Sequence, residues 1–77
     1  MSGKLPRVTS RQFIRVIEQL GWDLDRSRGS HRVFIHSAGH RTLTVPVARR
    51  VMSIGTLSRL LKDADISRDE FRRLLRG

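Results

Sequence analysis

The sequence predicts an α+β domain in which helices cover one face of a small three-stranded antiparallel sheet. Apolar residues recur at helical spacing near both ends of the 77-residue chain, whereas apolar and polar residues alternate in its middle. Two glycine-containing segments, RSRGS and HSAGH, separate the alternating stretches and are typical of hairpin turns. We expect one small domain over residues 1–77, since a chain of this length has room for a single core.

The first predicted element is a helix that begins after Thr9, which can cap it together with Gln12, and ends at Gly21. Arg11 and Arg15 fall on its polar face, where we expect them to be solvated surface residues. The apolar face of this helix consists of Phe13, Ile14, Val16, Ile17 and Leu20.

Three strands are predicted next, over residues 22–26, 31–36 and 42–47. Each intervening turn contains a glycine, Gly29 or Gly39, that can take a positive φ at no steric cost. Two helices complete the fold, one over about residues 55–64 and an extra C-terminal helix opened by Ser67 with Glu70. Because these helices can cover only one face of the sheet, the other face should be open.

Composition excludes several classes of protein. The chain has no cysteine, which removes disulfides, thiolate catalysis and cysteine-ligated zinc. It has no apolar run of the roughly 20 residues that a membrane span needs, and its N-terminus lacks the apolar segment of a signal peptide. We therefore expect a soluble, unprocessed, cytoplasmic protein without membrane contact.

The charge distribution indicates a polyanionic partner. The formal net charge is +9, and fourteen of the sixteen basic residues are arginine, whose planar fork matches phosphate oxygens. Residues 26–62 contain no carboxylate, eight basic residues and all three histidines. A basic sheet with one open face is a plausible surface for nucleic acid.

His31, within the stretch RSRGSHR, is the best candidate for chemistry. Cleavage of RNA without a metal needs a base for the 2′-hydroxyl proton, a donor for the leaving oxygen, and cations beside the phosphorane. Imidazole suits the first two tasks near neutral pH and arginine suits the third. The flanking groups with expected phosphate-binding roles are Arg26, Arg28, Gly29, Ser30 and Arg32, with more distant arginines such as Arg41 on the flanking backbone.

The other two histidines are not expected to join His31. His31 and His36 are five residues apart, so on a regular strand they point to opposite faces. A metal site built from His31, His36 and His40 would lack a nearby carboxylate, and we expect none. The pattern leaves open which face of the sheet His31 occupies.

The chain resembles the HicA-type mRNA interferase toxins of the YcfA-like family over nearly its whole length. The matching features, in order, are a first helix ending in GW, then LDRSRGSHRVF, LTVP, and IGTLSRLLKDADISRDEFRRLL. The resemblance implies a fold similar to a double-stranded-RNA-binding domain and ribonuclease activity on mRNA, with His31 as the catalytic residue. It also implies an inhibitory HicB-type antitoxin as partner. The sequence has no phosphate loop and no dinucleotide fingerprint, and we expect no small-molecule cofactor.

Two other functions remain open on the residues alone. The same basic surface could serve a non-enzymatic module that binds structured RNA. The segment from Gly55 onward also has tolerable spacing for a DNA-binding helix-turn-helix. Its recognition helix would open with Asp69 and Glu70, whose charge is wrong for DNA, so this reading ranks last.

Overall fold

The computed structural model describes residues 4–47 and 50–77, which form three helices and three strands. The elements follow the order α1 (Ser10–Gln19), β1 (Trp22–Arg28), β2 (His31–His36), β3 (Thr42–Pro46), α2 (Ile54–Asp63) and α3 (Arg68–Arg76). The predicted α+β class is confirmed. This order is compatible with the architecture of a double-stranded-RNA-binding domain.

The sheet is antiparallel, with β2 between β1 and β3. Phe34 of β2 pairs with Leu43 of β3, and both side chains are buried. Because directly paired residues of antiparallel strands share a face, these residues mark the face that the helices cover. The opposite face is open, as the amphipathic third strand predicted.

The helix ends match their sequence signals. Thr9 caps α1 in a full capping box with Gln12, and Gly21 after the helix has a φ of 93°. Ser67 caps α3 by accepting a hydrogen bond from the backbone N–H of Glu70. These local hydrogen bonds satisfy donors that a helix N-terminus leaves unpaired, which is why the boundaries are readable from the sequence.

The core lies between the sheet and the helices and is built around four buried aromatic rings from four different elements. Trp22 of β1, Phe34 of β2, Phe13 of α1 and Phe71 of α3 are each almost fully buried. The rings of Phe13 and Phe71 lie 6.0 Å apart between centroids, so α3 packs directly on α1. Among the described residues, no helix has the length and apolar character that crossing a bilayer requires.

The structure corrects the end of the first hairpin strand and defines the second turn. β1 continues to Arg28, two residues beyond its predicted end, because a two-residue turn lets Arg28 pair directly with His31. In the second turn the left-handed residue is His40, with a φ of 58°, and not Gly39. This turn closes through a hydrogen bond from His40 N–H to His36 O, which places the positive φ on the last loop residue.

Candidate functional site

The turn between β1 and β2 consists of Gly29 and Ser30. Gly29 has a φ of 58°, the sign that the first loop residue of a type II′ hairpin turn requires. A Cβ on Gly29 would meet nothing within 4 Å, so the backbone conformation and not space is what favours glycine there. The tight turn fixes Arg28 and His31 as the last paired residues of the hairpin.

A β-bulge in β1 decides where its arginines lie. Leu24 pairs with Phe34, but the next pair is Arg26 with Val33, so Asp25 is an extra residue on β1. Without the extra residue, Arg26 would follow Leu24 to the helix-covered face. The bulge instead brings Arg26, and two residues later Arg28, to the open face of the sheet.

His31 also lies on the open face, which answers the question that the sequence left open. Its neighbour Arg32 pairs with the buried Val45 on the covered face, so His31 points the other way. The side chain is exposed and lies in register between Arg28 of β1 and Pro46 of β3. His31 is therefore an accessible imidazole at one end of the open face, which also carries Arg28, Arg26 and, further along β1, Asp23.

The hydrogen bonding of His31 leaves one ring nitrogen available. The hydroxyl of Ser30 lies 3.5 Å from Nδ1, a long contact between exposed groups. Within residues 4–47 and 50–77, Nε2 makes no hydrogen bond. A substrate on the open face can thus reach Nε2 without displacing a partner inside the protein.

The three arginines of RSRGSHR do not converge on His31. Arg28 is its direct cross-strand neighbour, and Arg26 lies one pair further along the same face. Arg26 Nη1 also contacts Asp25 Oδ2 at 3.1 Å, an exposed ion pair of little energetic consequence. Arg32 lies on the opposite face, beside α1.

Arg41 lies at the far end of the sheet from His31. Its backbone oxygen accepts a hydrogen bond from His36 N–H where the second hairpin begins, while His31 pairs with Pro46 at the other end. The Arg41 guanidinium donates to the backbone oxygen of Asp63, near the C-terminal end of α2, where a cation is favoured. Arg49, which contributes to the basic interval of the sequence, lies outside the described residues.

His36 has a structural environment. Its Nε2 lies 2.8 Å from the backbone oxygen of Leu20, and its Nδ1 accepts a hydrogen bond from the N–H of Ala38 at 3.1 Å. Its ring packs edge-on against Trp22, with 5.1 Å between centroids. The neutral tautomer with hydrogen on Nε2 satisfies both contacts. The predicted separation of His36 from His31 onto opposite faces is confirmed.

No described cluster of histidine and carboxylate side chains has the three members that a metal ion needs. His40 is part of the second turn, at the end of β2 away from His31. The three histidines therefore occupy three separate environments.

Arg11 and Arg15 of α1 are exposed, as the sequence predicts. The sequence did not indicate that they line one groove together with Arg32. Their spacing of four residues predicted a shared helix face. What they face depends on how α1 docks against β2 and β3, which no local pattern encodes.

The fold and site together define a small α+β protein whose open sheet face presents an accessible histidine, His31, beside Arg28 and Arg26. A model of the HicA toxin family of bacterial toxin–antitoxin systems matches residues 10–66. The chain belongs to this family. The partner of a toxin in such a system is an antitoxin. A comparison with curated proteins gave no match.

Proposed function

We propose that this toxin is a metal-independent endoribonuclease that cleaves mRNA in the cytoplasm and so inhibits translation, with His31 as its catalytic residue. The observation that carries the proposal is the exposed His31, whose Nε2 is unbonded within the described residues and whose cross-strand neighbour is Arg28. Family membership supports the same function. A HicB-type antitoxin would silence the toxin by covering this face.

The chemistry needs one proton acceptor and one proton donor. In its neutral form, His31 Nε2 takes the proton of a ribose 2′-hydroxyl as the 2′-oxygen attacks the adjacent phosphorus. The bond from phosphorus to the 5′-oxygen breaks, and the imidazolium returns the proton to that leaving oxygen. The products are a 2′,3′-cyclic phosphate and a 5′-hydroxyl.

Arg28 and Arg26 supply the positive charge for this reaction. Both lie on the face that carries His31, and Arg28 forms no ion pair within the described residues. A guanidinium beside the pentacoordinate phosphorane stabilises the charge that develops on its equatorial oxygens. Ser30 at the turn offers a hydroxyl to the same phosphate.

The first test compares the native protein with His31→Ala on single-stranded RNA in the presence of a chelator. We expect the substitution to lower the cleavage rate by about 10²- to 10⁴-fold, the range for loss of a general acid–base group. His40→Asn is the matched control, since His40 is also exposed and asparagine tolerates its positive φ. This control should cut as the native protein does.

Product analysis sharpens the test. The fragments should carry 2′,3′-cyclic phosphate and 5′-hydroxyl ends, and an oligonucleotide with 2′-deoxyribose at the cleaved position should stay intact. Equal cleavage by native protein and His31→Ala would refute the role of His31. RNA binding by the native protein without any cleavage would favour the non-enzymatic RNA-binding module.

A further inference from the structure

A groove of about 620 Å³ runs along the outer face of α1 where β2 begins, and we call it the α1 groove. Its charged lining residues are Arg11, Arg15 and Glu18 of α1 and Arg32 of β2. Ile14 and Val47, both half-buried, contribute the apolar part of its wall. The groove lies on the helix-covered side of the sheet, so it is distinct from the His31 face.

Two tertiary hydrogen bonds organise the end of the sheet that carries His31, and one of them ties α1 to it. The hydroxyl of the buried Ser10 donates to the backbone oxygen of Pro46 at 2.9 Å, which ties the first turn of α1 to the end of β3. The backbone N–H of Val47 donates to Ser30 O at 2.6 Å. Arg32, which lines the groove, directly follows His31 in β2, so the α1 groove and His31 lie at the same end of the sheet on opposite faces.

The electrostatics of the α1 groove favour an anion. Arg11, Arg15 and Arg32 are exposed, and within the described residues none of them has an ion pair or a side-chain hydrogen bond. Arg11 and Arg15 are like charges one helical turn apart, an arrangement that destabilises an isolated helix slightly. Bound phosphates would remove that repulsion.

The N-terminal end of α1 adds to this positive field. The first turn of α1 contains no acidic residue, so the positive end of the helix dipole is not neutralised locally. Of the described residues that line the groove, Glu18 is the single carboxylate, against three guanidinium groups.

We propose that the α1 groove binds the phosphodiester backbone of the RNA strand beside the nucleotide held at His31. The strand then passes from the open face around the sheet end formed by Ser30, Pro46 and Val47. Arg11, Arg15 and Arg32 hold successive backbone phosphates there. This inference rests on the proposed function, because the RNA is the one that His31 cuts.

The test measures the salt dependence of binding to a single-stranded RNA oligonucleotide. All proteins carry His31→Ala so that the probe stays intact. A triple variant, Arg11→Gln, Arg15→Gln and Arg32→Gln, is compared with a charge-matched control, Arg59→Gln, Arg73→Gln and Arg76→Gln. The three control arginines are exposed residues of α2 and α3 outside the groove. Thermal unfolding confirms that each variant is folded.

We expect the triple variant to reduce the slope of log K against log salt by about two, since each phosphate contact on a single strand contributes roughly 0.7. The control should keep the native slope. Glu18→Gln should change binding in the opposite direction and tighten it, because it removes the carboxylate of the groove.

The outcomes separate this inference from the proposed function. If the salt slope of the triple variant is unchanged while the native protein cleaves RNA, RNA binding by the α1 groove is refuted and the proposed nuclease function stands. If the salt slope is reduced but the native protein cleaves no RNA, RNA binding by the α1 groove is supported and the proposed nuclease function is refuted. If the triple variant loses affinity for polyglutamate but not for RNA, the groove holds an acidic protein segment and the inference is wrong.

Discussion

At the scale of single residues, two histidines on one strand have opposite roles. His31 begins β2 on the open face, with Arg28 as its only charged direct neighbour in the register. His36 ends the same strand on the covered face, bonded through both nitrogens and packed on Trp22. The alternation of side chains along a strand is enough to separate a reactive position from a structural one.

This contrast predicts that alanine substitutions at the two histidines separate activity from stability. His31→Ala should leave the unfolding free energy unchanged, since the side chain is exposed. His36→Ala should lower it by about 1–3 kcal/mol, because Leu20 O and Ala38 N–H each lose a partner. Denaturant unfolding measures both. A stability loss in His31→Ala as large as that in His36→Ala would contradict this assignment.

At the scale of elements, two local backbone features of the β1–β2 hairpin, a β-bulge and a tight turn, form the candidate active site. The bulge at Asp25 turns Arg26 and Arg28 to the open face, and the turn at Gly29 ends the hairpin so that Arg28 meets His31. The bulge and the turn both act through the geometry of the backbone. The site therefore depends on residues that need not touch the substrate.

The two turn glycines give a matched pair of variants for this hairpin. Gly29→Ala should destabilise the protein by about 1–2 kcal/mol, because an L-residue is strained at a φ of 58°. Gly39→Ala should be neutral or slightly stabilising, since Gly39 has no positive φ and its Cβ would meet only Arg41 side-chain carbons at 3.8 and 3.9 Å. Thermal unfolding compares them, and equal losses would show that the turn conformation is not the cause.

At the scale of the whole molecule, α3 completes the core although it lies beyond the family match. The family model ends at residue 66, whereas α3 spans Arg68–Arg76. Phe71 is fully buried against Phe13 of α1, and Leu74 and Leu75 are packed at the edge of the same core. A domain this small has little core to spare, so α3 contributes substantially to its stability.

Phe71→Ala should therefore be severely destabilising. Removing a buried phenylalanine costs about 3–5 kcal/mol, compared with a total stability of about 4–12 kcal/mol for a chain of this length. Arg73→Ala, an exposed change on the same helix, is the control and should alter stability by less than about 0.5 kcal/mol. Urea denaturation measures both midpoints. A cost below 1 kcal/mol for Phe71→Ala would mean that α3 is not an integral part of the core.

The sequence alone determined the N-terminal caps of α1 and α3, the order of the strands in the chain, and the opposite orientation of His31 and His36 along β2. Capping boxes, turn glycines and alternating apolar residues depend on only a few neighbouring positions, so they can be recognised from the sequence without a structure. The acid-free interval likewise indicated a polyanionic partner.

Only the tertiary structure decided which basic side chains lie together. The sequence grouped Arg26, Arg28 and Arg32 beside His31, but the bulge in β1 and the parity of β2 divide them between two faces. It left His31 without an assigned face and counted Arg11 and Arg15 as plain surface. The physical reason is that faces and grooves depend on register and helix docking, which arise from long-range packing and not from the order of neighbouring residues.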